Sequence, residues 1–168
     1  MYYINKYLSP FGQLLLCSNG EALIGVWWEN QRCLDLQMIN NCQTKVLPIF
    51  DKTCCWLDNY FQCKKNIQLP QMQLVGSEFR KMVWQILQTI PYGSLTTYGE
   101  IAIQIAKIKN VPKISAQAVG GAIANNPINI LIPCHRVIGS NGKLIGYGGG
   151  LERKSQLLYM EKHTISQY

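Results

Sequence analysis

The segment Pro133-Cys134-His135-Arg136-Val137 sets three polar residues inside an otherwise apolar run. The largely apolar residues 128–132 precede it, and apolar residues resume at Val137-Ile138. Pro133 lacks a backbone N–H, which removes one hydrogen-bond donor from this strand. Histidine and arginine are not expected at the centre of a buried strand unless they have hydrogen-bond partners or a functional role. A buried cysteine ordinarily fills core, but these flanks predict that Cys134 belongs to an active-site strand.

The composition is that of a globular protein without a membrane-spanning segment. Apolar residues make up 48% and charged residues 15% of the 168 positions. This balance excludes a disordered chain and suffices for one domain or two small ones. No apolar run reaches the roughly 20 residues that a spanning helix needs, and residues 1–6 do not resemble a signal peptide. We therefore expect no membrane association.

The seven cysteines follow no framework of paired spacings. No C-x-x-C is present, and neither histidine, His135 or His163, stands near a cysteine pair. This usage is typical of free thiols in a reducing, cytoplasmic compartment. It offers no ligand set for zinc, so we expect neither a metal nor a cofactor.

Positive charge is concentrated in the second half of the chain. Residues 1–76 hold six Lys/Arg and five Asp/Glu, residues 77–168 hold ten and four, and the whole chain carries a net +7. A basic half is typical of a protein that binds a phosphate backbone, although a surface tuned for solubility has the same composition. Charge alone leaves both interpretations open.

Residues 1–76 are expected to form a small antiparallel β-sheet domain with one helix. Two short β-prone runs joined by a turn predict a hairpin: residues 13–17, Ser18-Asn19-Gly20 and residues 22–28. Residues 52–61 have the apolar spacing of a helix. The polar stretch 62–77 is expected to link this domain to the next.

Residues 77–168 are expected to form a helical domain that resembles a winged helix-turn-helix. Each of three predicted helices follows a capping residue: Ser77 before Glu78, Thr97 before Tyr98 with Glu100 completing a capping box, and Ser115 before Ala116–Ala124. A strand pair turning at Ser140-Asn141-Gly142 and a last helix over residues 151–161 complete it. The predicted fold class is therefore α/β of the α+β kind.

The helix predicted at Ala116–Ala124 consists almost entirely of residues with small side chains. It contains Gly120 and Gly121, and each glycine costs roughly 1 kcal/mol in a helix interior. Tight packing against a neighbouring helix would explain them. So would a smooth surface that enters the narrow minor groove of DNA, and on that interpretation Gln117 and Ala118 belong to the same DNA-binding surface.

A thiolate at Cys134 would be a soft, strong nucleophile. Neighbours on an extended strand point to opposite faces, so a direct hydrogen bond from Cys134 to His135 is awkward. A bridging water could relay the proton, with an acid holding the far nitrogen of His135. His163 lies in the polar tail and is a weaker candidate base.

Six segments resemble the O6-alkylguanine-DNA alkyltransferase family, also called methylated-DNA–protein-cysteine methyltransferases. The resemblance covers nearly all of residues 77–161 and, more loosely, the N-terminal part. The segments occur in the family's order: Thr97-Tyr98-Gly99-Glu100-Ile101-Ala102, Ala118-Val119-Gly120-Gly121-Ala122, Asn126-Pro127, Ile132-Pro133-Cys134-His135-Arg136-Val137, Gly146-Tyr147-Gly148-Gly149-Gly150 and Leu157-Leu158-Tyr159-Met160-Glu161.

The resemblance implies DNA repair by direct reversal of damage. A damaged guanine in double-stranded DNA, bound through the minor groove, would be flipped into a pocket and would pass its O6-alkyl group to Cys134. The product is a thioether that no group here can cleave, so each chain, which we expect to be a monomer, acts once. Activity on O4-alkylthymine stays open.

The resemblance also implies roles for single residues. Cys134 is the acceptor, His135 its base through a water, and Glu161 the carboxylate that orients His135. Tyr98 helps to turn the nucleotide and donates a hydrogen bond to the leaving guanine. Asn126 ties the DNA-reading helix to the active-site strand. The flipped base is held by backbone groups near three residues: Val137, Tyr147 and Gly148.

The sequence departs from the family in two places. Many members carry an arginine at the position of Gln117, where it fills the gap that the extruded nucleotide leaves. Residues 103–113 form a long stretch between two short helices, to which we assign no effect. Three rival functions are a recognition-only relative, which would lack Cys134, a winged-helix transcription factor, and a cysteine hydrolase that would ignore DNA.

Overall fold

A computed structural model describes residues 1–31 and 39–163 of the chain. The chain divides into two compact units. Unit 1 comprises Met1–Val75 and Pro127–Asn129, and unit 2 comprises Gly76–Asn126 and Ile130–Tyr168. The predicted α/β class is confirmed, since both units combine helices with short strands. Within the described ranges, no helix combines the length and apolarity that crossing a membrane requires.

Unit 1 is built on a four-stranded sheet of order β3-β2-β1-β4. Its strands are β1 (Tyr3–Ser9), β2 (Gly12–Ser18), β3 (Leu23–Trp28) and β4 (Gln43–Thr44). The predicted β2–β3 hairpin is confirmed as an antiparallel pair. The expectation of a wholly antiparallel sheet is wrong at one edge, because β4 pairs with β1 in parallel. Strand β1 went unpredicted because its exposed and half-buried residues alternate weakly, yet it pairs with β2 over its whole length.

The predicted helix of unit 1 is present as α1 (Pro48–Phe61) and begins four residues before its predicted start. Pro48 occupies the first helical turn, where a missing backbone N–H costs nothing. The stretch predicted as a polar linker is only partly one, because Leu23 donates to the carbonyl of Gln71 at 2.9 Å and accepts from Gln73 N at 2.9 Å. That stretch therefore pairs with β3 at its first residue, Leu23.

Unit 2 contains four helices in its described part: α2 (Glu78–Gln88), α3 (Tyr98–Lys109), α4 (Ala116–Ala124) and α5 (Leu151–His163). All three predicted N-caps are confirmed. Ser77 accepts from Arg80 N, Thr97 forms the full capping box with Glu100, and Ser115 accepts from two amides of α4. Buried Trp84 of α2 donates its indole N–H to the Ala122 carbonyl of α4 at 2.9 Å.

Two predictions for the segment around Cys134 are wrong. Cys134–Arg136 forms a turn of 3₁₀ helix, not a strand. The strand pair expected at Ser140-Asn141-Gly142 is only a turn, closed by a 2.9 Å bond from Gly139 N to Lys143 O. Strand β6 (Val137–Ile138) pairs instead with β5 (Thr96–Thr97), in parallel. Beyond Lys143, the carbonyls of Ile145 and Gly146 accept hydrogen bonds from a buried lysine of α5 and not from amides of β6.

We expect Ser115→Ala to lower the free energy of unfolding by about 1 kcal/mol, since two amides of α4 lose their side-chain acceptor. Ser115→Asn is the matched control, because asparagine caps equally well and should leave stability nearly unchanged. Urea unfolding measures both. Equal losses in the two variants would show that the cap does not stabilise α4.

Candidate active site

The 3₁₀ turn buries the three polar residues that interrupt the apolar run. Cys134, His135 and Arg136 are 4%, 0% and 8% exposed. A 3₁₀ helix has three residues per turn, so these side chains leave the backbone in three different directions. His135 and Arg136 both reach the carboxylate of Glu161 on α5.

Glu161 is fully buried, and its carboxylate accepts hydrogen bonds from His135, Arg136 and Gly93. His135 Nε2 lies 2.8 Å from Oε1, Arg136 Nε lies 2.9 Å from Oε2, and Arg136 Nη2 lies 2.9 Å from Oε1. The amide of Gly93 lies 3.1 Å from Oε2. Arg136 also donates from Nη1 to the Ile90 carbonyl at 2.6 Å. The carboxylate thus joins α5 to the 3₁₀ turn and to the loop after α2.

These contacts set the protonation states of the pair. Burial pushes the pKa of Glu161 upward, but the hydrogen bonds from His135 and Arg136, together with the positive charge of Arg136, outweigh it and hold that pKa well below its usual range. Burial lowers the pKa of His135, so its ring is neutral at pH 7. An ionised carboxylate only accepts, so Nε2 carries the ring proton and Nδ1 is the nitrogen left with the lone pair.

Cys134 is held as a thiol in the resting protein. Burial raises its pKa, while a hydrogen bond from Asn126 and the charge of Lys154 act in the opposite direction. Asn126 is itself buried and donates from Nδ2 to the Ile132 carbonyl at 2.9 Å. It therefore fixes the end of α4 against the residues that lead into the 3₁₀ turn.

Tyr98 lies at the start of α3, beside the glycine-rich loop. Its hydroxyl donates to the Ile145 carbonyl at 2.9 Å. Gly146 has a φ of +57°, and a Cβ there would lie 3.3 Å from the Tyr98 hydroxyl, so a side chain would crowd it. Burial raises the pKa of Tyr98, and negative charge on Cys134 adds to that effect. The loop residues Tyr147 and Gly148 are half-buried.

The outer face of α4 is smooth and exposed. Gln117, Ala118 and Gly121 are exposed, and a Cβ added to Gly121 would meet no atom within 4 Å. At Gly120 an added Cβ would meet only the Tyr98 ring, at an ordinary 3.8 Å. Packing against a neighbouring helix therefore does not explain Gly121. This face has room for another molecule to approach closely.

One buried charge in this site, that of Lys154, was not predicted from the sequence. Its residue is 0% exposed and its ammonium binds three backbone carbonyls. The signal was present, because residues 154, 157, 158 and 161 share one face of a helix, and leucines occupy the middle two positions. The alternative base, His163, ends α5, and its side chain lies outside what the structure describes.

Two family models match the chain. They are the ribonuclease-like domain of 6-O-methylguanine DNA methyltransferase, over residues 1–70, and the DNA binding domain of 6-O-methylguanine DNA methyltransferase, over residues 78–163. The second match contains the 3₁₀ turn, the smooth helix and the glycine-rich loop.

Curated relatives and solved structures agree with these matches. The methylated-DNA–protein-cysteine methyltransferase of Haemophilus influenzae is 40% identical over 95% of this chain and 86% of the relative, and that of Mycobacterium leprae is 43% identical over 98% and 95%. The crystal structure of Mycobacterium tuberculosis O6-methylguanine methyltransferase matches with a TM-score of 0.85 at 36% identity, over 100% of this chain and 97% of that one. A structure of the Mycobacterium tuberculosis protein in complex with DNA matches with a TM-score of 0.81 at 38% identity, over 96% and 92%.

We expect Glu161→Gln to lower the free energy of unfolding at pH 7 by about 3–5 kcal/mol, because Arg136 keeps its buried charge without a counter-charge. The lowered pKa of Glu161 stabilises the fold fully above about pH 4.3, the ordinary pKa of an unfolded glutamate. This stabilisation is lost as the pH falls further toward the folded pKa. Urea unfolding from pH 7 down to pH 3 should show the difference between the two proteins narrowing below about pH 4.3. A difference that does not change with pH would contradict this account.

Proposed function

The chain belongs to the methylated-DNA–protein-cysteine methyltransferase family, and from this premise we propose that it repairs DNA by moving the alkyl group of O6-alkylguanine onto Cys134. The observation that carries the proposal is the buried series Cys134, His135 and Glu161 within the residues that the family's DNA binding domain matches. Residues 77–168 are then the DNA-binding and active-site domain, and residues 1–76 the N-terminal one.

The site supports a displacement at a saturated carbon. Nδ1 of His135 takes the thiol proton through a water, and the imidazolium so formed is stabilised by Glu161, 2.8 Å from Nε2. The Cys134 sulfur then bonds to the alkyl carbon as the bond from that carbon to guanine O6 breaks. The electron pair stays on the guanine, and a soft thiolate suits such a carbon.

The leaving guanine needs a donor, and Tyr98 is placed to supply one. In the structure its hydroxyl donates to the Ile145 carbonyl, so it would turn from that carbonyl to the guanine. Backbone groups at Val137, Tyr147 and Gly148 border the place where the flipped base would lie. The product is a thioether, which no group in the site can cleave, so one chain repairs one lesion.

The exposed face of α4 is the proposed DNA-binding surface. Gln117, Ala118, Gly120 and Gly121 leave a helix surface that fits a narrow minor groove, and residues 77–168 carry the excess of positive charge. We propose that the protein binds double-stranded DNA there as a monomer. The seven cysteines follow no disulfide spacing pattern, and this supports a location in the reducing cytoplasm.

The direct test is the intact mass of the protein after incubation with excess duplex that contains one O6-methylguanine. We expect a gain of one methyl group per chain, saturating at that value, with unmodified guanine restored in the DNA. Cys134→Ser is the control and should gain nothing. Tight lesion binding without a mass gain would make the protein a recognition-only relative, and turnover beyond one group per chain would contradict the mechanism.

Gln117→Arg tests the role of the residue next to the extruded nucleotide. An arginine fills more of the vacated stack and adds a phosphate-binding charge, so we expect a several-fold faster single-turnover reaction on duplex DNA. Reaction with free O6-methylguanine base, which needs no flipping, is the control and should not change. An unchanged duplex rate would show that Gln117 does not occupy the gap.

A further inference from the structure

Lys154 is a buried cation that the mechanism so far does not use. Its ammonium donates to the carbonyl of Val137 at 2.6 Å, of Ile145 at 2.7 Å and of Gly146 at 3.1 Å. An ammonium has three donors, so these carbonyls occupy all of them. Val137 follows the 3₁₀ turn that carries Cys134, and the other two carbonyls belong to the start of the glycine-rich loop.

This cation lacks a resident counter-charge. Among residues 1–31 and 39–163, no carboxylate lies within ion-pair distance of Lys154, whereas the neighbouring Arg136 has Glu161. Burying an ammonium costs several kcal/mol unless charge compensates for it. The three carbonyls satisfy the hydrogen bonds of the ammonium but supply no full negative charge, so an anion that forms nearby would offset the cost of burial.

We propose that Lys154 is a positioning residue for the transfer reaction, which holds the base-binding loop against the 3₁₀ turn and offsets the negative charge that develops on the Cys134 sulfur. The proposal rests on the function proposed above, because alkyl transfer is the reaction in which Cys134 has to become a thiolate at neutral pH. Burial lowers the pKa of Lys154 to about 8, and negative charge on Cys134 acts against that lowering.

The positioning part follows from the planarity of the peptide bond. In a trans peptide the C=O and the N–H of the next residue point in opposite directions. By holding the Gly146 carbonyl, Lys154 aims the amide of Tyr147 away from itself. Ile145 O is shared with the Tyr98 hydroxyl, so the lysine keeps this acceptor fixed when Tyr98 turns to the guanine.

The charge part follows from the other groups around the sulfur. His135 is neutral at pH 7 because burial lowers its pKa, and Tyr98 is also neutral, with a raised pKa. Arg136 and Glu161 are paired to each other, and Asn126 contributes a hydrogen bond without a charge. Before the thiol proton is transferred, Lys154 is therefore the net positive charge that acts on Cys134 within the described part of the chain. Once His135 takes that proton, its imidazolium adds a second.

The test is the pH dependence of Cys134 alkylation by iodoacetamide, followed by peptide mass, in the wild-type protein and in Lys154→Met. This reagent is neutral and needs neither DNA nor the base-binding loop. We expect the midpoint to rise by about one to three pH units in Lys154→Met, the effect of removing an opposite charge. Below the midpoint, each unit corresponds to about tenfold slower reaction. An unchanged midpoint in the folded variant would overturn the proposal.

Two further variants separate charge from shape. Lys162→Met removes an exposed lysine of the same helix and should leave the midpoint unchanged. Lys154→Arg keeps the charge but cannot place three donors in the same way, so the midpoint should stay close to that of the wild type while transfer from duplex DNA slows. A midpoint as high as that of Lys154→Met would overturn the charge part.

A second measurement avoids any change at position 154. In protein with ¹³C-labelled lysine, NMR titration of the Lys154 ammonium compares the wild type with Cys134→Ser. We expect a lower Lys154 pKa in Cys134→Ser, because the serine hydroxyl cannot become an anion in this range. Identical titrations would overturn the proposal. Failure of wild-type transfer from lesion DNA, with these shifts present, would instead count against the proposed function alone.

Discussion

The fold around the 3₁₀ turn depends on one buried carboxylate. Glu161 accepts hydrogen bonds from His135, from two nitrogens of Arg136 and from the Gly93 amide, so that α5, the turn and the loop after α2 meet at a single group. Without its charge, Arg136 would be a buried cation without compensation, which is among the most costly arrangements in a protein. The same carboxylate chooses the tautomer of His135. Glu161 therefore both stabilises the fold, through Arg136, and prepares the reaction, through His135.

The burial of Cys134 makes its thiol unreactive at rest, and the neighbouring groups have to activate it. A thiol that is 4% exposed has its pKa raised, so at neutral pH it oxidises and alkylates slowly and is a poor nucleophile at rest. Activation then has to come from groups that act when the substrate is in place. His135 provides a lone pair at Nδ1, and Lys154 provides a fixed positive charge. Both groups are held in place by hydrogen bonds, His135 by Glu161 and Lys154 by three backbone carbonyls.

The local signals for the helices could be predicted from the sequence because they are short-range. The caps at Ser77, Thr97 and Ser115 depend on residues within one turn, and all three are confirmed. The 3₁₀ turn at Cys134 could not be predicted in this way, since Glu161, which is 26 residues away from His135 in the chain, is what holds it. Apolar flanks made that turn look like a strand. Lys154 was missed because a lysine is expected to be solvated, although its helical face is that of Leu157 and Glu161.

The most direct test of this account is the ¹⁵N NMR spectrum of the His135 ring at neutral pH. The chain has two histidines, so His163→Gln leaves one ring to observe. We predict a neutral imidazole with its proton on Nε2, donated to Glu161, and a lone pair on Nδ1. A ring protonated on Nδ1 alone, or an imidazolium at pH 7, would contradict the claim that Glu161 prepares His135 to take the proton of Cys134.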